Sequence, residues 1–342
     1  MSNNISFAYP PQAPAQLYPP SLPPAYAPMA SAPPYEMYYH ECPNQIEKPT
    51  LDSLIQKYDI RTSLSQALYT LKEFDIVFIC DDSGSMDTPC ESIDSSGNVI
   101  RQTRWKEAEK ITTTITDFSL ALDGDGLDLY FFSQPNHLKV TSVEQVKQIF
   151  RRTPNCGTPI VKTLRQVYNE FKARDKDTLV IIITDGEPSG GVDETFQNLT
   201  NVINEMIGCA HPKFRISTVL VTDNDNVIGP YNQIDKKFDC FDVSDDYMSE
   251  LSEIKKVQGQ HFDFQFGDYV CKILLSPVCK ELDHLDEKVL DINNMVKNFT
   301  TNYDNTGKFD IAQSQIPIQN QTPIPTHSGA YQRQNQGCCI IV

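Results

Sequence analysis

The stretch Phe78-Ile-Cys-Asp-Asp-Ser-Gly-Ser-Met86 closes a run of apolar residues, Phe74–Cys80 (F-D-I-V-F-I-C), with two aspartates and two serines. An apolar run of that length reads as a strand covered on both faces. Its abrupt end in small oxygen-bearing side chains asks whether the chain only turns there or holds something on those oxygens. Asp81, Ser83 and Ser85 stand at alternate positions, so one tight loop can converge three side chains, and Gly84 is expected to ease the turn.

The residues around that loop repeat a simple alternation. Further near-continuous apolar runs occur at Leu127–Ser133, Thr178–Thr184, Arg215–Thr222 and Phe238–Ser244. Between them, apolar residues recur at helical spacing. Trp105, Ala108, Ile111, Ile115 and Phe118 form one stripe, Ile160, Leu164, Val167 and Phe171 a second, and Phe196, Leu199, Val202 and Met206 a third. These stripes read as core packing. Strand–helix alternation predicts an α/β fold with a doubly wound, mostly parallel central sheet and helices on both faces. Ligands of such sheets bind beyond the carboxyl ends of the strands.

Two more motifs fall at strand ends. Thr158 lies in C-G-T-P-I, just ahead of a predicted helix, and Asp185 follows T-L-V-I-I-I-T in T-D-G-E-P. Asp81, Ser83, Ser85, Thr158 and Asp185 are all hard oxygen donors, with no His or Cys among them. That chemistry suits Mg²⁺ or Mn²⁺ rather than zinc or copper.

On these residues the chain resembles the von Willebrand factor type A (vWA) family with its metal-ion-dependent adhesion site. The family pattern is D-x-S-x-S after the first strand, a threonine in a G-T loop and an aspartate after the fourth strand. Here these are D-D-S-G-S at 81–85, C-G-T-P at 156–159 and T-D-G at 184–186, and the resemblance covers about 75–250. Cys156 departs from the glycine usual before the G-T pair. The resemblance implies that Ser83 and Ser85 bind the metal directly, and that Thr158, Asp81 and Asp185 do so directly or through water. It also implies a coordination position left for a carboxylate from a partner protein. Asp87, Glu187, Ser189 and Asp193 are candidates for the rim.

Composition limits the alternatives. The net charge of −16 argues against nucleic acid as a partner. The six histidines fit no triad and no H-E-x-x-H spacing, and no phosphate-cradling glycine loop occurs. The rival enzyme is a Mg²⁺-dependent phosphatase of the haloacid-dehalogenase type. That chemistry needs a second acid two residues after the nucleophile, whereas position 83 is Ser and Asp82 comes one residue early. The expected role is therefore binding rather than catalysis.

The ten cysteines form no C-x-x-C pair, and the N-terminus carries neither a basic nor an apolar segment of a secretory signal. Reduced thiols in the cytosol are expected, with an extracellular adhesion protein as the rival. No apolar run reaches the length of a membrane-spanning helix.

The ends differ from the middle. Residues 1–48 hold nearly half of the 23 prolines and 6 of the 15 tyrosines, and read as a disordered, polyproline-prone tail. Pro23-Pro24-Ala25-Tyr26 is a P-P-x-Y motif of the kind that docks in WW domains. Tyr18–Leu22 matches Y-P-x-x-L. Residues 50–305 are expected to form the domain (core about 70–250), with Leu282, Leu285, Val289 and Ile292 as the stripe of a late helix. Residues 306–342, rich in Gln, Asn, Pro and Ser, are expected to be a flexible tail. It ends Cys338-Cys339-Ile340-Ile341-Val342, where the last four fit C-a-a-X, with Cys339 the prenylation site and Cys338 a second acylation site. These features predict a cytosolic adaptor held peripherally on a membrane.

Overall fold

The computed structural model describes residues 49–93, 98–122, 124–133, 138–208 and 213–306. Every element below lies within residues 47–342. The segment with Pro23, Pro24 and Tyr26 and the end with Cys338 and Cys339 lie outside the described residues.

The strands are β1 (Phe74–Cys80), β2 (Pro89–Ile93), β3 (Val99–Thr103), β4 (Leu127–Phe131), β5 (Leu138–Val140), β6 (Asp177–Thr184), β7 (Phe214–Leu220) and β8 (Phe241–Asp245). Six of them form the central sheet in the order β5-β4-β1-β6-β7-β8. All its pairings are parallel except β4 with β5, so the expected doubly wound α/β fold is the one observed. β2 and β3 pair as a separate antiparallel ribbon.

The alternation of side chains along each strand builds two cores. On β1, Phe74, Ile76, Phe78 and Cys80 face one layer, while Val77 and Ile79 face the other. On β6, Leu179, Ile181 and Ile183 share the first layer with them, and Val180 and Ile182 the second. Each such side chain contributes roughly 1.5–3 kcal/mol of burial, which is why both faces must be covered.

The helices are α1 (Leu51–Lys57), α2 (Thr62–Leu68), α3 (Arg104–Leu122), α4 (Val143–Ile149), α5 (Ile160–Phe171), α6 (Phe196–Ile207), α7 (Asp225–Asp235), α8 (Tyr247–Gln258), α9 (Phe266–Leu275), α10 (Lys280–Asp283) and α11 (Ile292–Thr306). The stripe from Trp105 to Phe118 on α3 packs into the first layer with α1, α2, α4, α8, α9 and α11. The stripes of α5 and α6 pack into the second with α7. None of the described helices is long and apolar enough to cross a membrane.

This winding creates a switch point. β1 leads through α3 on one face to β4 on one side, and β6 leads through α6 on the other face to β7 on the other side. β1 and β6 are neighbours, so their carboxyl ends open the crevice where ligands of such sheets bind.

Two sequence expectations fail. Leu282, Leu285, Val289 and Ile292 do not share a helix: Leu282 is on α10, Leu285 on the following 3₁₀ turn, and Ile292 opens α11. Val289 is 76% exposed. The spacing matched a helical period across a segment that turns, and the buried members pack separately. Gly84 does not serve a left-handed turn either, since its φ is not among the positive ones, and a Cβ there would meet nothing within 4 Å.

Candidate functional site

The crevice between β1 and β6 brings the three motifs together by main-chain bonds. The N–H of Asp81 donates to the carbonyl of Ile183 at 2.9 Å, which continues the β1–β6 pairing one residue past the strand. The N–H of Gly84 donates to the carbonyl of Cys156 at 3.4 Å, and that of Ser189 to the carbonyl of Thr158 at 2.9 Å. The loop after β1, the loop before α5 and the loop after β6 are thus sewn to one another.

The side chains form a row of oxygens. Ser83 Oγ and Ser85 Oγ are 2.9 Å apart, and Ser85 Oγ donates to Asp185 Oδ1 at 2.7 Å. Asp81 Oδ1 accepts from the N–H of Ser83 at 2.8 Å, and its Oδ2 from the Thr184 hydroxyl at 2.6 Å. Asp81, Ser83, Thr158 and Asp185 are buried, while Ser85 is open to solvent at the mouth. Thr158 borders the turn after Asp185, where a Cβ on Gly186 would sit 3.5 Å from the threonine hydroxyl.

The electrostatics follow from burial. Asp81 has no exposed surface, and desolvation pushes its carboxyl up to about 6. The donors from Ser83 and Thr184 pull it back, and the neighbouring charge of Asp185 adds to the rise. Asp185 instead has a cation: Arg104 Nη1 lies 2.8 Å from its Oδ2.

Several residues that shape the site were not legible as such. Arg104 stands one position before the apolar stripe of α3, where a polar residue carries no periodic signal. Asp82, considered only as a misplaced second acid, accepts from Ser133 (main-chain N–H at 2.9 Å and hydroxyl), from Arg152 at 2.7 Å and from the Cys156 thiol at 3.2 Å. Cys156 therefore packs against the loop after β1. Helix α5 has no cap from its own N-terminal residue, and Glu194 supplies one, accepting from Val161 N at 2.8 Å and Lys162 N at 3.0 Å.

Of the rim candidates, Asp87, Glu187, Ser189 and Asp193 are all exposed. The Ser189 hydroxyl also accepts from the N–H of Thr158 at 3.3 Å, which gives it a structural duty. Among the described residues no group of three or more His, Cys, Asp or Glu is placed to hold a metal. The row just described has two carboxylates and three hydroxyls instead.

No protein-family model matches the chain, and no curated protein matches it. Among solved structures it is similar in fold to a mutant of the PilB minor pilin from Streptococcus sanguinis, at TM-score 0.38 and 12% identity over 53% of this chain and 60% of that one. It is also similar to the pilus adhesin SpaC from Lactobacillus rhamnosus GG, at TM-score 0.35 and 12% identity over 59% of this chain and 31% of that one. The chain therefore spans less than two thirds of either.

Proposed function

We propose that this chain is a metal-dependent protein-binding module of the vWA type. Asp81, Ser83, Ser85, Thr158 and Asp185 would hold Mg²⁺ or Mn²⁺, and a Glu or Asp of a partner protein would complete the coordination. The observation that carries this reading is the row Ser83–Ser85–Asp185 beside the fully buried Asp81 carboxylate, at the switch point of the sheet.

The donor set fits the ion. Every member is a hard oxygen, as Mg²⁺ requires. Asp81 is a desolvated carboxyl whose donors are neutral, so a nearby cation offsets the cost of its ionisation. The bound ion would supply a concentrated positive charge in the crevice. The chain's own residues do the rest: the β1–β6 pairing fixes Asp81, Ser85 aims the Asp185 carboxylate, and Glu194 anchors the loop carrying Thr158.

A non-catalytic role is part of the proposal. Asp82 is engaged by Ser133, Arg152 and Cys156 rather than standing by as a general acid. A generic phosphate ester tests the phosphatase alternative: turnover abolished in Asp81→Ala but retained in Ser83→Ala would establish it.

The same proposal covers the proline-rich segment, where Pro23, Pro24 and Tyr26 would recruit a WW-domain protein.

The test of the metal is calorimetric titration of Mg²⁺ into the full chain, beside Asp185→Ala and Ser83→Ala. One saturable site, lost in both variants, is expected. Uptake that is equal in all three would assign the binding to the acidic surface and sink the proposal. At 100 times its dissociation constant the ion should also stabilise the fold by about 2.7 kcal/mol.

A further inference from the structure

The proposed metal ligands give no reason for Arg104 in the crevice. It opens α3, and its side chain is only 15% exposed. Nη1 lies 2.8 Å from Asp185 Oδ2, and Nη2 lies 3.5 Å from the Thr222 hydroxyl and 3.8 Å from Asp223 Oδ1. The two oxygens of Asp185 are thereby divided: Oδ1 receives the Ser85 hydroxyl, and Oδ2 receives the guanidinium.

A cation on a prospective metal ligand is costly for metal uptake, since like charges repel strongly in a site shielded from water. Its benefit lies in what the loaded site can then do. Asp81 and Asp185, ionised as ligands, carry two negative charges, and Arg104 brings the set to −1. A divalent ion takes that set to +1. Without Arg104 the same set would pass from −2 to zero. The neighbouring pair Asp82–Arg152, at 2.7 Å, cancels itself, and the carboxylates of Asp87, Glu187 and Asp223 are in water, where they are screened.

We propose that Arg104 sets the residual charge of the site, weakening the hold on the metal so that the loaded site stays cationic and selects an anionic group on the partner. This deepens the metal-site reading and rests on it. On a chain of net charge −16, selection of a carboxylate needs such a local excess of positive charge. Arg104 is a specificity-determining residue here and reaches the ion only through Asp185.

The test measures two affinities on the full chain: Mg²⁺ by calorimetry, then acetate on the Mg²⁺-saturated protein. Arg104→Gln should bind Mg²⁺ roughly threefold or more tightly and acetate correspondingly less, because one unit charge has been removed. Arg104→Lys should stay near the wild type in both. Thermal unfolding checks that the variants fold, and Arg104→Met makes the same charge change should Gln fail. Opposite movement of the two affinities supports the proposal. Weakening of both would mean that Arg104 merely orients Asp185, and no change in either would mean that its charge is not felt; each overturns it. A lysine variant that behaves like glutamine would overturn it too. Wild-type protein that takes up no Mg²⁺ overturns the metal-site reading along with it, whereas normal uptake with unmoved variants overturns this inference alone.

Discussion

The N–H of Asp81 donates to the carbonyl of Ile183 at 2.9 Å, so the rung that ends the β1–β6 pairing also sets Asp81 beside Thr184 and Asp185. Asp81 and Ile183, 102 positions apart, are held in register by the sheet itself. That rung and the loop-to-loop bonds at Gly84 and Ser189 fix the positions of the three loops.

Asp81 makes the metal-free protein sensitive to pH. Burial raises its carboxyl from an ordinary 3.8 to about 6, so the folded state favours the protonated form. The stability this contributes is fully present below pH 4 and is lost as pH rises through 6. The loss amounts to about 3 kcal/mol for such a shift. With EDTA present, the urea-unfolding stability of the wild type should therefore fall by that amount relative to Asp81→Asn between pH 4 and 6.5. Saturating Mg²⁺ should restore it in the wild type only. Parallel pH curves for the two proteins would contradict the assignment.

Lys272 of α9 is buried and lies 3.0 Å from Glu250 of α8. Desolvation lowers its ammonium pKa, but Glu250, Asp242, Asp286 and Asp283 more than reverse that and keep it charged. Lys272→Ala should cost about 3–5 kcal/mol, because it leaves Glu250 buried and unpaired. Lys272→Met combined with Glu250→Gln should recover much of the loss. Chemical denaturation of the two variants beside the wild type would check this, and a double variant no better than the single one would show that the pair itself is stabilising.

Helix α9 passes so close to the turn after α1 that Gly267 is obligatory. A Cβ there would lie 2.2 Å from the Tyr58 carbonyl oxygen and 2.8 Å from Ile60 Cγ1. Gly267→Ala should cost about 1–3 kcal/mol through forced movement of the backbone. Gly84→Ala, with open space around it, should stay within about 0.5 kcal/mol of the wild type. Melting temperatures of the two variants give the comparison, and equal losses would argue against the close approach.

The sheet was legible because buried parallel strands leave a plain signal: T-L-V-I-I-I-T can satisfy little else than a strand covered on both faces. The stripes of α3, α5 and α6 were legible for the same reason, since a helix against a sheet must repeat its apolar face. β5 escaped notice because three residues, Leu138–Val140, hold no period. The β2–β3 ribbon also went unread, as Val99 and Ile100 are exposed and its pattern is not that of a core strand. At the site, the oxygens announced themselves by type and spacing. Arg104, Arg152 and Glu194 did not, because a long polar side chain reaches its partner through tertiary geometry: Arg104 meets Asp185 across 81 residues. The false stripe from Leu282 to Ile292 shows the converse, in which helical spacing recurs across a turn with no helix beneath it.

Diffraction from crystals soaked in Mn²⁺ would show whether one ion sits among the three loops. One dominant anomalous peak is expected within coordination distance of the Ser83 and Ser85 hydroxyls, in the crevice shared with Asp81, Thr158 and Asp185, and it should be absent in crystals of Asp185→Ala. Peaks confined to the acidic surface, with none in that crevice, would contradict it.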